Sequence, residues 1–427
     1  MHTHAHAVSI RSSCRHRCRS GHVPQSSLSS RTPTVGAGAR SKSTCGPAGT
    51  PHSATAAATS GDVPRPRQVV LRTPRGRRLM TAHDAHDRLR PRTSSPIAGR
   101  VTEGGGAMSL VPPPFDTELA AVLDSFRGVI GPGLTPADVE SARRSAALEL
   151  VDVTMDGAFE AEDRTVPGPE GAPDVSLLLC RPTAAPAPAP LPVLYHVHGG
   201  GLVAGTNRAG VTEPLAWARE LGAVVVSVEY RLAPEHPHPA PIEDVYAGLL
   251  WTAEHAREIG GDPDRIVVAG ASAGGGLTAA LALLARDRRG PRPLGQLLMC
   301  PMLDDRNDSV SSRQMAGLGV WDRSANETAW SALLGDRRGG PEVSPHAAPA
   351  RATDLSGLPP AFLDVGSAET FRDEVVAYAS RIWQSGGEAE LHVWPGGCHG
   401  FDALAPEATL SRTARAARLG WLRRLLG

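Results

Sequence analysis

The stretch that decides the fold is residues 265–277, Arg-Ile-Val-Val-Ala-Gly-Ala-Ser-Ala-Gly-Gly-Gly-Leu. An apolar run typical of a buried strand leads into Gly270-x-Ser272-x-Gly274, and a helical pattern follows. A serine between two glycines in this context predicts a sharp strand-to-helix turn. Such a turn lifts the serine Oγ above the sheet and places the next N–H at the positive end of a helix. Ser272 is therefore the candidate nucleophile, and Ala273 is a candidate N–H donor.

Strand-like and helix-like segments alternate on both sides of this turn. Because the strand-like runs are rich in Val and Leu and often unalternated, they indicate strands buried on both faces. We predict an α/β fold with a mostly parallel sheet, helices on both faces and a helical cap. The predicted strands are 175–180, 193–197, 223–228, 265–269, 296–300, 361–365 and 389–394, and the predicted helices are 116–129, 136–151, 209–221, 243–258, 274–288, 373–385 and 407–426.

A second glycine-rich loop, 198–201 (His-Gly-Gly-Gly), directly follows the predicted strand 193–197. Bare glycine N–H groups can approach a developing oxyanion closely, and removing one such donor costs about 2.7–4 kcal/mol in other enzymes. Gly199, Gly200 and Gly201 are therefore candidate donors beside Ala273. The alternative is a flexible glycine turn without chemistry.

A serine nucleophile needs a base and an acid from neighbouring strand ends. His399 lies in the loop after the last predicted strand and is the candidate base. Glu369 is the first loop carboxylate after the strand 361–365, and Asp373 is an alternative acid whose other role would be to cap a helix. The order Ser272, Glu369, His399 is that of α/β-hydrolases.

For Trp321 and Trp330, the sequence does not decide between lining an acyl pocket and packing in the core.

Residues 1–107 differ in composition from the remainder. They hold 17 Lys and Arg against four acidic residues and none of the 17 aromatic residues, so residues 108–427 carry a net charge of about −13. Without aromatic or periodic apolar residues this segment is not expected to form a core. We predict translation from Met108, with 1–107 disordered if it is made at all. The weaker interpretations are an organellar transit peptide, a nucleic-acid arm, or a metal site at Cys14, His16, Cys18 and His22.

The remaining composition predicts a cytoplasmic protein without a membrane span. The sequence shows neither an apolar stretch of the roughly 18–20 residues that a span requires nor a secretory signal. Three cysteines after residue 108 do not make a disulfide framework, which favours a reducing compartment. We expect no nucleic-acid partner, and a homo-dimer is left open.

Together these motifs resemble the hormone-sensitive lipase family of α/β-hydrolase carboxylesterases, also called HGGG esterases. The resemblance covers about 115–425 and rests on 198–201, 230–235, 270–274, 366–374 and 399–401. It implies that Gly200, Gly201 and Ala273 are the oxyanion donors and that segments 108–150 and 304–346 form a cap. Two positions depart from the family, because Ala271 precedes the serine and Glu369-Thr370 replaces the usual Asp-Pro.

The expected function is hydrolysis of short- to medium-chain carboxylic esters through an acyl-enzyme, with Ser272, His399 and Glu369 as the triad. Such chemistry requires neither metal nor organic cofactor. An amidase of the arylformamidase type is an alternative, since the same triad serves amide hydrolysis. A ligand-binding protein on an inactive hydrolase scaffold is a further alternative, although such proteins typically lose the histidine that is present here as His399.

Overall fold

A computed structural model describes residues 110–126, 131, 133–147, 151–184 and 190–427. The start at Met108, the interpretations of the segment 1–107 and parts of the segment 108–150 lie outside these residues. Within the described residues, no helix is long and apolar enough to cross a membrane. The same residues include no group of three or more His, Cys, Asp or Glu side chains that could hold a metal ion.

The described chain forms an eight-stranded sheet in the order β1-β2-β4-β3-β5-β6-β7-β8. The pairs β1–β2 and β2–β4 are antiparallel, and every other pair is parallel. The mostly parallel α/β sheet is therefore confirmed. The strands are Phe159–Val166 (β1), Val175–Pro182 (β2), Leu191–Val197 (β3), Val224–Glu229 (β4), Gly261–Ala271 (β5), Gly295–Met299 (β6), Ala361–Gly366 (β7) and Ala389–Trp394 (β8).

Strand β1 is absent from the prediction because its sequence, Phe-Glu-Ala-Glu-Asp-Arg-Thr-Val, carries no apolar run. It lies at the edge of the sheet, and only its end residues Phe159 and Val166 are buried. An edge strand with both faces near solvent does not need apolar alternation, so its pattern resembles that of a loop.

Of the ten α-helices in the described residues, seven correspond to predicted helices, whereas Val310–Gln314, Arg323–Leu334 and Phe401–Leu404 have no counterpart among the predicted bounds. The predicted helix 136–151 begins as a 3₁₀ turn, Pro136–Asp138, and continues as the α-helix Val139–Ala147, beyond which residues 148–150 lie outside the described residues. The α-helices are Thr117–Ser125 (α1), Val139–Ala147 (α2), Thr212–Leu221 (α3), Ala240–Glu254 (α4), Ala273–Arg288 (α5), Val310–Gln314 (α6), Arg323–Leu334 (α7), Arg372–Gln384 (α8), Phe401–Leu404 (α9) and Thr409–Leu426 (α10).

Helices cover both faces of the sheet because alternate strand residues point to opposite sides. In β4, Val224, Val226 and Val228 pack in one core cluster, and Val225 packs in another. Residues of α4, α5 and α8 complete the first cluster, and residues of α3 and α10 complete the second. The parallel strands between these layers present their carboxyl ends at one edge, where Ser272 follows β5.

The helices of the two predicted cap segments contact each other and the loops at this edge. On α2, Arg143 donates through Nε to the Val203 carbonyl (2.7 Å) and through a terminal nitrogen to the Ala233 carbonyl (2.8 Å). On α7, Thr328 Oγ1 donates to the Leu134 carbonyl at 2.6 Å. Backbone carbonyls thus join α2 to the loops at the edge of the sheet and α7 to the segment that precedes α2.

A buried ion cluster fixes α10 beneath the sheet. Arg418 donates through Nε to Asp364 Oδ2 in β7 at 2.8 Å and pairs with Asp402 in α9. A third carboxylate, Glu213 in α3, lies 3.8 Å from the guanidinium. Arg418 is 2% exposed. Because an unpaired buried carboxylate is costly, this one side chain stabilises three elements.

We expect Arg418→Met to lower the free energy of unfolding by about 3–5 kcal/mol, because it leaves buried carboxylates without their cation. Arg423→Met is the matched control on the same helix, since the Arg423–Glu220 pair is 56% and 51% exposed. An exposed pair contributes about 0–1 kcal/mol. Urea unfolding of both variants measures the difference, and equal losses of stability would refute the importance of the buried cluster.

Candidate active site

Ser272 occupies a strained turn between β5 and α5. Its backbone has φ +59° and ψ −123°, a region that residues with a Cβ rarely adopt. The turn is held by two hydrogen bonds, from Ser272 N to the carbonyl of Met299 at the end of β6 (2.8 Å) and from N of Met302, in the loop after β6, to the Ser272 carbonyl (3.0 Å). The expected strand-to-helix turn is therefore present, with the serine at the carboxyl edge of the sheet.

Glycine is required at both flanking positions of the motif, because backbone carbonyl groups pack directly against them. A Cβ on Gly270 would overlap the Gly274 carbonyl, and a Cβ on Gly274 would overlap the carbonyl oxygens of Val197 and His198. Backbone atoms cannot move aside as a flexible side chain can. Glycine at 270 thus allows the tight turn into α5, and glycine at 274 allows the elbow to pack against the end of β3, where the second glycine loop begins.

His399 reaches Ser272 from the loop after β8. Its Nε2 lies 2.9 Å from Ser272 Oγ, and its Nδ1 lies 2.9 Å from Glu369 Oε1. Because an ionised carboxylate can only accept, Nδ1 carries the proton and Nε2 is free to accept the serine O–H. The Glu369 side chain is fully buried, and that of His399 is 11% exposed. The structure thus brings together all three predicted residues in one hydrogen-bonded chain.

Asp373, the alternative acid, bonds elsewhere. Its carboxylate accepts the Ser311 N–H at 2.8 Å and the Arg372 Nε–H at 2.8 Å. The bond from Ser311 attaches the start of α6 to the start of α8, so Asp373 caps the neighbouring helix rather than its own. Of the two candidate acids, the structure places Glu369 against the imidazole.

The glycine loop 199–201 lies beside the elbow. Gly200 and Gly201 have φ values of +111° and +61°, and a Cβ on Gly200 would overlap the Ala204 carbonyl. A Cβ on Gly199 would stand 3.1 Å from the Ala271 carbonyl oxygen. Within the described residues, no acceptor bonds the N–H groups of Gly200, Gly201 or Ala273. These donors are therefore available at the edge where Ser272 Oγ emerges.

His198 anchors this loop from below. It is completely buried, its Nδ1 donates to the Gly199 carbonyl at 2.8 Å, and its ring stacks on Tyr230 with centroids 4.0 Å apart. The Tyr230 hydroxyl donates in turn to the His198 carbonyl at 2.9 Å. Burial lowers the pKa of His198 to about 4, so the imidazole is neutral at physiological pH.

This chain is similar in sequence and in structure to many known proteins. A family model described as alpha/beta hydrolase fold matches residues 194–403. The carboxylesterase NlhH of Mycobacterium tuberculosis is 36% identical over 323 residues, which is 74% of this chain and 97% of that protein. The chain belongs to the hormone-sensitive-lipase-like family of α/β-hydrolase carboxylesterases. The resemblance inferred from the motifs is thereby confirmed, and the chain is an enzyme of the carboxylesterase class.

Two further members of this carboxylesterase family support the assignment. The esterase LipI of Mycobacterium tuberculosis is 34% identical over 304 residues, covering 70% of this chain and 92% of that protein. The solved structure of a bacterial heroin esterase superposes with a TM-score of 0.67 at 39% identity, covering 73% of this chain and 98% of that chain.

The two tryptophans of the esterase, which the sequence leaves undecided, occupy different places. Trp330 in α7 is 1% exposed and belongs to the core. Trp321, just before α7, is half-buried, and its ring centroid lies 6.1 Å from that of His399. The sequence analysis misses Phe371, whose ring meets the His399 ring edge-on at 5.3 Å. Its position two residues after Glu369 is the only sequence signal for this contact.

The close packing at the elbow predicts that Gly274→Ala destabilises the esterase by about 1–3 kcal/mol, because the added methyl group overlaps backbone carbonyls. The matched control is Gly420→Ala within α10, where the nearest atom to an added Cβ lies 3.7 Å away. That change should stabilise by about 0.5–1 kcal/mol, since alanine favours helix interiors. Thermal unfolding compares the variants. A neutral Gly274→Ala would contradict the packing argument.

Proposed function

We propose that this enzyme hydrolyses carboxylic esters with short- to medium-chain acyl groups through an acyl-enzyme on Ser272. The observation that carries the proposal is the chain of 2.9 Å hydrogen bonds from Ser272 through His399 to Glu369. This is the arrangement that activates a serine hydroxyl. The carboxylesterase and esterase names of the relatives favour esters as substrates.

In the first step, the serine O–H proton passes to His399 Nε2 as Oγ bonds to the ester carbonyl carbon. The carbonyl oxygen takes the negative charge, and we assign its stabilisation to N–H groups among Gly199, Gly200, Gly201 and Ala273. Preorganised donors of this kind supply a large share of the catalysis in acyl transfer. The tetrahedral intermediate then expels the alkoxide, which leaves as alcohol after receiving the proton from His399.

Water repeats the sequence on the acyl-enzyme. His399 removes a proton from water, the hydroxide bonds to the acyl carbon, and the proton returns to Ser272 Oγ as the carboxylic acid leaves. Glu369 keeps Nδ1 protonated and stabilises the imidazolium that forms in both halves.

The charges around His399 raise its pKa, which makes the imidazole a stronger base. Burial lowers the pKa of His399, but the charge and hydrogen bond of Glu369, together with Cys300, outweigh burial and hold the pKa well above 6.5. Only neutral His399 can accept the serine proton. Activity should therefore rise with pH as this group deprotonates.

We also propose that α1 and α2 with α6 and α7 form the cap over the site, within segments 108–150 and 304–346. The support is contact at the carboxyl edge of the sheet. Arg143 of α2 pairs with Glu235 at 2.6 Å and bonds the Val203 carbonyl, two residues beyond Gly201. A cytoplasmic location is supported by the free thiols of Cys180, Cys300 and Cys398. A homo-dimer stays a prediction.

Hydrolysis of p-nitrophenyl acetate and butyrate tests the proposed activity. The wild-type enzyme should release p-nitrophenolate, and Ser272→Ala should lose at least about 10⁴-fold in kcat because the nucleophile is gone. p-Nitroacetanilide in parallel distinguishes ester from amide specificity. Turnover of the anilide above the esters would favour the amidase, and equal ester turnover by wild type and Ser272→Ala would refute the mechanism.

The acid is tested by comparing Glu369→Gln with Asp373→Asn. Glu369→Gln should lower kcat about 10³- to 10⁴-fold, since the amide does not support the imidazolium. It should also move the acid limb of kcat/KM, expected above pH 6.5 in the wild type, to lower pH, because the charge that raises the His399 pKa is removed. Asp373→Asn should leave that limb in place. A larger effect of Asp373→Asn on kcat would overturn the choice of Glu369.

A further inference from the structure

The ring of Trp321 lies directly on the loop that we propose to bind the oxyanion. A Cβ built on Gly201 would overlap Cη2 of the indole and stand 3.1 Å from Cζ2. The ring therefore covers Gly201 at contact distance, and only glycine leaves room for it. The indole also approaches His399, with ring centroids 6.1 Å apart and planes tilted by 39°.

This position borders the space that a substrate must enter. The ester carbonyl has to sit between Ser272 Oγ and the N–H groups of the glycine loop, while the leaving oxygen has to reach His399 Nε2. An indole that touches both Gly201 and the surroundings of His399 is therefore within contact distance of a substituent on the ester. Trp321 is half-buried, in contrast to the enclosed Trp330, so part of its surface faces open space.

The backbone of Trp321 is held by side chains on both sides. The Thr370 hydroxyl donates to the Trp321 carbonyl at 2.7 Å, and Thr370 is 1% exposed. The next residue, Asp322, accepts the N–H groups of Ala325 (2.9 Å) and Gly317 (2.8 Å). The backbone that carries the indole is thus bonded to the loop that carries the acid, because Thr370 directly follows Glu369.

We propose that Trp321 is a specificity-determining residue that limits the bulk of the ester beside the oxyanion loop, and that Thr370 is the positioning residue that holds it there. This inference rests on the proposed ester hydrolysis. It concerns the choice among esters and not the chemical step. It also gives a role to the threonine that stands where the family resembled by this sequence usually has proline.

The test is the ratio of kcat/KM values for two ester series, which does not depend on how much of a variant is folded. One series varies the acyl group as p-nitrophenyl acetate, butyrate and octanoate, and the other varies the alcohol as p-nitrophenyl and 2-naphthyl acetate. Trp321→Ala should raise the large-to-small ratio in at least one series by about tenfold, the scale of discrimination in apolar pockets. Trp321→Phe should give a smaller rise.

The controls separate specificity from general damage. Trp330→Phe alters a core residue and should change both substrates of a series by the same factor. Thr370→Val removes the hydroxyl at constant shape and should shift the ratio in the same direction as Trp321→Ala, whereas Thr370→Ser keeps the hydroxyl and should restore the wild-type ratio. If Trp321→Ala does not fold, Trp321→Phe and Thr370→Val carry the test.

Ratios that stay within twofold of the wild type in both series for the Trp321 and Thr370 variants would overturn the inference. Different results would refute the proposed function. These are a wild-type protein that turns over no ester of either series, or a Ser272→Ala variant that turns over esters as fast as the wild type. Ester hydrolysis with unchanged ratios therefore refutes only the role of Trp321.

Discussion

The site depends on one constraint: the residues that flank the turn at Ser272 must lack a Cβ, because backbone atoms pack directly against them. The elbow can lie against the end of β3 only because Gly274 carries no Cβ, and α5 can begin so close to β5 only because Gly270 carries none. That approach brings the glycine loop and the start of α5 to the same point as Ser272 Oγ. The positive φ of Ser272 is a local cost that the surrounding hydrogen bonds and packing of the sheet must offset.

The imidazole meets this serine through elements that are themselves fixed by buried charge. Arg418 pairs with Asp364, five residues before Glu369, and with Asp402, three residues after His399. One guanidinium therefore spans the strand that leads to the acid and the helix that follows the base. Burying an ion pair costs desolvation free energy, and only in some proteins does the pair specify a unique conformation. Here the pair aligns the strand that leads to the acid with the helix that follows the base.

The main features of the fold could be predicted because they depend on local pattern. Strands buried on both faces require apolar runs, and the glycine-flanked serine requires its turn, so both are visible in one sequence. Strand β1 could not be predicted, because an edge strand needs no apolar pattern. Two choices depend on tertiary contacts, namely the acid (Glu369 or Asp373) and the tryptophan near the site (Trp321 or Trp330). Residues close together in sequence can contact different parts of the fold, so the sequence alone does not decide them.

The acid loop shows how such contacts connect the hydrolase body to the segment after residue 304. Proline after the acid would restrict the backbone by its ring, but it has no hydroxyl to donate. Thr370 lacks the ring of proline, but its hydroxyl donates to the Trp321 carbonyl, and the Ser311 hydroxyl of α6 donates to the Thr370 carbonyl at 2.9 Å. Hydrogen bonds to the segment that bears the indole therefore restrain the loop in place of a proline ring. A displacement of that segment would consequently act on two parts of the site together, the orientation of Glu369 toward His399 and the cover over Gly201.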